Sequence, residues 1–424
     1  MIRKVKRYLS NKQYKKMVSN FSYLAIINMA NKFLPLLVIP YIVRTIGVEK
    51  YGIIMFAQAT IMYFQITTRY SFELTATKFI SLHRKDVEKI SEHFWNVIAT
   101  KLSLFVVASF IFLIILFSFE RFYVEKEVFL FSFLMIFANI WIPMWFYQGI
   151  EEMKFIAIFN IIAKLLYAIG IFIFIKEAND YIWVPLISFL SYLFVGVYAQ
   201  YVAKVKYGVK FIFPLFREIK VLLVDGKHIF LSNLSVIFYT TTNTVLLGLL
   251  TNYTTVGIYS LAETVFGAYS QIIKTYNTIV YPHLARYADN MTKLYMQARK
   301  FIKLYVIILF IASLFLFLIS DIAIELLFGE GHEKSVFILR VLAVSLLLEP
   351  LGGFFTPYLA IKSKYKIISK ITFTTMLINF ILIFPMIYFY EEKGLAYTFL
   401  ILSVVQVYLN LKHNRELLPI GRSS

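Results

Sequence analysis

A run of about twelve long apolar stretches constrains this chain more than any other feature. A helix rises about 1.5 Å per residue and bilayer hydrocarbon is about 30 Å thick, so one crossing takes roughly 20 apolar residues. Stretches of that kind lie near 20–45, 51–80, 94–118, 127–150, 155–176, 181–204, 228–250, 253–284, 301–320, 335–357, 366–390 and 394–412. They are continuous and lack period-two alternation, which predicts helices and not a barrel. The chain is 60% hydrophobic, with a mean hydropathy of +0.72. A soluble protein is nearer half apolar and could not keep such an excess out of water. The first stretch is too long for a cleaved signal and no small-x-small site follows it, so a retained helix is expected. The expected fold class is an all-α polytopic membrane protein of about twelve transmembrane helices.

The net charge of +19 sits mostly between those stretches. With the N-terminus and the even-numbered gaps taken as one side, that side and its bordering turns hold 30 Lys and Arg against 6 on the other. Short loops with this asymmetry predict both termini on the cytoplasmic face. The charge then marks topology and attraction to anionic headgroups, not nucleic-acid binding, because no soluble fold carries a basic patch.

The longest gap, 205–227, is basic and amphipathic and falls at the chain midpoint. It is expected to lie on the inner leaflet. The expected organisation is a basic tail at 1–19, a six-helix bundle at 20–204, the linker at 205–227, a second six-helix bundle at 228–412 and a tail at 413–424. A shift of 205 residues places Gly52 on Gly257, Ala57 on Ala262 and Arg69 on Lys274. Both repeats enter from the same side. Parallel repeats of this kind are related by a pseudo-twofold axis along the membrane normal, an arrangement suited to transporters.

Seven cations remain within the stretches: Lys32, Arg44, Arg69, Lys101, Lys164, Lys274 and Arg340, joined by Glu73, Glu263 and Glu349. A charge inside the membrane costs several kcal/mol and normally faces a polar interior. Arg44, Lys101 and Arg340 lie near expected helix ends and can snorkel. Lys32 lies roughly 18 Å deep, and Lys164 and Glu263 roughly 14 Å, at 1.5 Å per residue. Gln58, Gln65, Arg69 and Glu73 share one helical face, and Glu263, Ser270, Lys274 and Thr278 repeat it 205 residues on. Arg69 and Glu73, four apart, can also neutralise one another. Asn28, Asn31 and Lys32 precede Pro35 and Pro40, which remove helix hydrogen bonds and allow bending. The polar run Thr240 to Thr244 serves either a cavity or interhelical hydrogen bonding.

The chain has no cysteine, which removes disulfides and thiolate chemistry. Its six histidines show no metal-ligand spacing, and no phosphate-binding glycine loop is present. No cofactor, metal or enzymatic activity is expected.

The stretches LPLLVIPYIVRTIGVEKYG (34–52), FAQATIMYF (56–64) and FELTATKFIS (72–81) closely resemble the O-antigen flippases. These form the polysaccharide-transporter branch of the multidrug/oligosaccharidyl-lipid/polysaccharide exporter superfamily. WFYQGIEEMK (145–154), DGKHIFLSN (225–233), VGIYSLAET (256–264) and Tyr281–Pro282 extend the resemblance over most of the chain. Family members often carry an acidic residue before an aromatic–Gly pair where Arg69, Tyr70 and Ser71 stand here. The resemblance implies two six-helix bundles, alternating access, and an undecaprenyl-pyrophosphate-linked oligosaccharide carried across the bacterial inner membrane. It also implies membrane lipids, glycan polymerase and chain-length machinery as partners.

Together these readings make Lys32, Arg69, Lys164, Lys274, Asn28, Asn31 and Gln65 candidate substrate contacts. Glu73 and Glu263 are candidate ion-coupling carboxylates, and Pro35 and Pro40 candidate hinges. An ion-coupled multidrug antiporter of the same superfamily is the alternative; it calls for an acidic cavity, against the basic excess seen here.

Overall fold

The computed structural model describes residues 12–414, with side chains left out over most of 12–33 and at scattered positions between 236 and 279. Among the described residues there are helices and no strands. Helix covers the expected stretches, with short breaks such as those inside 51–80, 127–150 and 335–357, and the chain is a multi-pass membrane protein. By length and composition alone, 7 helices among the described residues are long and apolar enough to cross a membrane. The last of these, Tyr365–His413, holds two of the expected crossings, divided at Glu391, whose backbone leaves helical geometry (φ 48°, ψ −123°).

The chain divides into two compact units, Met1–Val245 and Leu246–Ser424. The first contains α1 (Lys12–Arg69), α2 (Phe72–Leu82), α3 (Val87–Ser118), α4 (Glu120–Tyr123), α5 (Lys126–Ile140), α6 (Met144–Gly149), α7 (Met153–Phe174) and α8 (Trp183–Tyr207). α9 (Phe216–Leu250) runs through the division. The second unit holds α10 (Tyr253–Ala285), α11 (Met291–Leu318), α12 (Ser320–Phe328), α13 (Glu333–Ser345), α14 (Glu349–Ile361) and α15 (Tyr365–His413). α9 begins at Phe216, so the second half of the expected linker is helical; only 208–215 lacks regular structure.

Local chemistry sets the breaks. α1 continues through Pro35 and Pro40 and departs from helical geometry at Gly47 (φ 81°, ψ 164°), a left-handed backbone suited to glycine. α5 stops at Trp141, just before Pro143, which cannot donate to the preceding turn. Asp86 caps α3 by accepting the Lys89 backbone N–H at 3.1 Å, and this bond holds its carboxyl below the usual carboxylate range. The 205-residue shift recurs in the breaks. It places Gly47 on Asn252, between α9 and α10, and Trp141 on Leu346, between α13 and α14.

In the first unit α5 packs on α8 and α1 on α7, around a core centred on Phe94, Trp145, Phe146 and Tyr147. The buried Tyr147 hydroxyl donates to the Ala199 carbonyl, which satisfies the polar end of a large apolar side chain. In the second unit α10 packs on α13 and α14 on α15, with Tyr305, Phe354, Phe355 and Tyr358 at a core.

Candidate functional site

A cavity of about 410 Å³ lies within the first unit. Both segments of α1 line it, with α5, α7 and α8. Its walls are mostly aliphatic, interrupted by Gln58, Gln65, Ser132 and Ser188 and by Tyr51, Tyr167 and Tyr192. Among the described residues Lys164 is its one charged lining group. α7 explains the position: it starts at Met153, so Lys164 falls about three turns inside the bundle. Lys164 is half-buried there, and a lysine ammonium among apolar walls attracts an anion more strongly than one in bulk water does.

Of the sequence-predicted residues, Pro35, Gln65 and Lys164 meet at this cavity. Pro40 is half-buried in α1 and outside the lining. Asn28, Asn31 and Lys32 belong to the first segment of α1, but their side chains lie outside the described residues. Lys32 stands three residues before Pro35. In the second unit Glu263 is exposed on α10, and the Lys274 side chain lies outside the described residues.

One helical turn beyond Gln65, α1 ends at Arg69. The expected uninterrupted helix over 51–80 is broken there. Tyr70 adopts a left-handed backbone (φ 48°) and a new helix starts at Phe72. Glu73 nevertheless remains within reach. The Arg69 guanidinium donates to Glu73 Oε1 from Nε at 2.9 Å and from Nη2 at 2.5 Å. Both side chains are about half exposed, so the pair itself adds little stability.

Lys101 lies deeper than its place in the sequence suggests. α3 begins at Val87 and not near 94, so Lys101 is well inside the helix and only 7% exposed. It cannot snorkel from a helix end, as the shorter expected helix allowed. The opposite charges of Glu73 and Arg69 both act on it. Arg44 fits its expectation, being exposed three residues before Gly47. Arg340 is ion-paired with Asp321 in the second unit.

The break at Tyr70 is held by α9. The Tyr70 hydroxyl donates to the Leu223 carbonyl at 2.7 Å, Asn233 Nδ2 donates to the Tyr70 carbonyl at 3.2 Å, and the Tyr70 ring stacks on Phe230 at 4.7 Å. Gly226 lets the two backbones approach: a Cβ there would come 2.0 Å from Ser71 Oγ. Higher up, Tyr63 and Thr242 share a hydrogen bond of 2.7 Å, so this member of the threonine run ties α9 to α1. No cluster of three or more metal-ligating side chains occurs among the described residues.

Known proteins place this architecture. Among solved structures, the Lipid II flippase MurJ in an inward closed conformation superposes with a TM-score of 0.73 at 13% identity, covering 92% of this chain and 87% of that one. An inward-facing multidrug resistance MATE family transporter of the MOP superfamily gives a TM-score of 0.65 at 13% identity, over 95% of this chain and 99% of that one. At such identities the likeness is one of fold. In sequence, a protein of Escherichia coli (strain K12) named "Putative O-antigen transporter" is 29% identical over 404 residues, 94% of this chain and 97% of the relative. A protein of the same name from Shigella dysenteriae is 24% identical over 93% of this chain and 99% of its own length. The profile of the family described as "Polysaccharide biosynthesis protein" matches residues 17–288. That match extends over more than half of the chain, through the cavity, the Arg69 break and α9, and the chain therefore belongs to the polysaccharide biosynthesis protein family.

Proposed function

We propose that this protein is a flippase. It carries an undecaprenyl-pyrophosphate-linked oligosaccharide, an O-antigen unit or similar repeat, from the cytoplasmic to the periplasmic face of the bacterial inner membrane. Both termini are cytoplasmic, and transport proceeds by alternating access between two six-helix bundles. The observation that carries the reading is the Lys164 cavity: one cation in apolar walls with amides, hydroxyls and tyrosine rings around it. Phosphate oxygens suit the ammonium, sugar hydroxyls suit Gln58 and Gln65, and sugar ring faces suit the tyrosines. The full-length relatives named as O-antigen transporters support the substrate class. A lysine as the one charged lining group among the described residues does not favour a cationic drug.

In this reading Lys164, Gln65, Lys32, Asn28 and Asn31 contact the glycan and pyrophosphate. Arg69 and Lys274 receive the anionic group nearer the cytoplasm. Glu73 and Glu263 serve ion coupling, Glu73 by releasing Arg69. Pro35 and Pro40 let the first helix bend. Glycan polymerase and chain-length machinery act as partners, and the protein catalyses no covalent step.

The test is rescue of surface glycan in bacteria lacking their own flippase, using the native glycan of this chain. Wild type should restore surface glycan and clear lipid-linked oligosaccharide from the inner face, while Lys164→Ala at equal membrane level should not. Failure of well-inserted wild type with the native glycan would end the flippase reading. Full activity of Lys164→Ala would remove the cavity assignment alone.

A further inference from the structure

The segment after α8 is neither slack nor featureless. Gly208 ends α8 with a left-handed backbone (φ 70°), and the Val209 N–H returns to the Ala203 carbonyl at 3.2 Å. The chain then lies across the start of α3. The Lys210 N–H donates to Ser91 Oγ at 3.0 Å, Trp95 Nε1 donates to the Lys210 carbonyl at 3.0 Å, and the Leu215 N–H donates to Asn96 Oδ1 at 3.1 Å. Pro214 keeps the residue before it extended. The Phe211 ring packs against Trp95 at 4.8 Å. The strap is thus fixed, yet Phe213 is 79% exposed and Phe216 is 82% exposed.

Between the strap and α8 lies a second cavity, of about 490 Å³, walled by Trp95, Trp141, Val197, Tyr201 and Phe211, with the exposed Lys204 in its lining. From Lys204 to Val197 it follows α8 for about 10 Å, at 1.5 Å per residue. Val197 and Tyr201 are themselves exposed, so the cavity opens along the side of the helix. The surrounding charge has one sign: residues 204–220 include Lys204, Lys206, Lys210, Arg217 and Lys220 against Glu218 alone. Lys206 is partly engaged, with its ammonium 4.3 Å from the Phe155 ring centre.

A cation at one end of an apolar slot, with exposed aromatics and more cations along the same strap, matches one occupant. We infer that this cavity binds an anionic glycerophospholipid. The phosphate sits at Lys204 and Lys210, and an acyl chain runs along Val197 and Tyr201 between Trp95 and Trp141. Phe213 and Phe216 hold the strap in the headgroup layer. The site is separate from the Lys164 cavity and does not depend on the flippase reading.

Fluorescence tests it directly. The full chain carrying Trp183→Phe, which removes the exposed tryptophan at the opposite end of α8, is reconstituted in phosphatidylcholine vesicles with a minor fraction of phosphatidylglycerol. Either lipid is brominated on its acyl chains in turn. Brominated phosphatidylglycerol should quench Trp95 and Trp141 several-fold more, per molecule, than brominated phosphatidylcholine. Inorganic phosphate should not compete. Lys204→Gln should reduce the headgroup preference roughly fivefold, as expected for one basic residue at an anionic surface. Lys204→Arg should retain it, and Lys126→Gln, at the other expected membrane face, should leave it unchanged. Equal quenching by the two lipids in the unmutated site would overturn the inference and reduce the cavity to ordinary lipid-facing surface. Competition by free phosphate would likewise overturn the lipid assignment.

Discussion

The Tyr70 hydroxyl donates to the carbonyl oxygen of Leu223, 153 positions away in sequence, at 2.7 Å. That bond joins a residue with left-handed backbone geometry to the first turns of α9. A non-glycine residue with this backbone is costly by itself, about 1–3 kcal/mol, and persists where its surroundings fix it. Here the fixing groups are Leu223, Phe230 and Asn233.

Tyr70→Phe removes the hydroxyl and keeps the ring on Phe230. The expected loss is about 1 kcal/mol, the usual net value of one such bond. Because the chain has no cysteine, Ser71→Cys gives a single thiol at a buried position of the clasp. Its labelling rate should rise about fivefold when Tyr70→Phe is added. An unchanged rate would mean that Phe230 and Asn233 hold the break without the hydroxyl.

Gly226→Ala should be severe for so small a change. Its methyl group would meet Ser71 Oγ at 2.0 Å and the Tyr70 ring at 2.8 Å, so α9 must move away. Overpacking of this kind costs about 1–3 kcal/mol. Thermal unfolding should fall accordingly, and Ser71→Gly should return part of the loss. Simple additivity of the two substitutions would argue against direct contact.

Lys101→Met separates stability from transport. The substitution removes a cation buried at 7% exposure while keeping the length of the side chain. Unfolding temperature should hold or rise, because a desolvated charge is gone. Glycan export should fall if the net charge around Arg69 and Glu73 serves the substrate. Export at the wild-type level would make Lys101 a packing residue.

The Arg69–Glu73 pair is expected to contribute little to folding, since its side chains are 47% and 56% exposed. A double-mutant cycle on unfolding should give a coupling of roughly 0.3–0.5 kcal/mol. A coupling well above 1 kcal/mol would show a far less hydrated pair.

Gly47→Ala isolates backbone strain from packing. No atom lies within 4 Å of the added Cβ, while φ is +81°. The loss, about 1 kcal/mol or more, would therefore come from the dihedral alone. A larger loss for Gly47→Val than for Gly47→Ala would follow from the further restriction of a β-branched side chain.

Much of this was legible in the sequence, and the exceptions are local. Apolar run length put helix over the expected stretches, because the bilayer imposes such lengths. Gly47 was legible as the gap between the first two stretches. The break at Trp141 has a local signal in Pro143. The break at Tyr70 had none: neither glycine nor proline stands there, and the conformation is set by contacts with α9 across more than 150 residues. Lys101 was misplaced because the polar start of α3, VEKISEH, reads as loop on hydropathy alone although it is helical. Gln65 and Lys164 could be expected to face a cavity from depth and helical spacing, whereas the tyrosines around them look like ordinary apolar filling until the helices are assembled.

The strap over α3 has a mechanical consequence. A tether of eight residues between two helices normally lets each turn independently. Here Lys210 and Leu215 are bonded to Ser91, Trp95 and Asn96, so hardly any free length remains before Phe216. Any tilt at the first turn of α9 must bend, drag or detach the beginning of α3. The stretch that looks most like a loose cord is therefore a strut, and the stiffness of three hydrogen bonds sets how far α9 can swing.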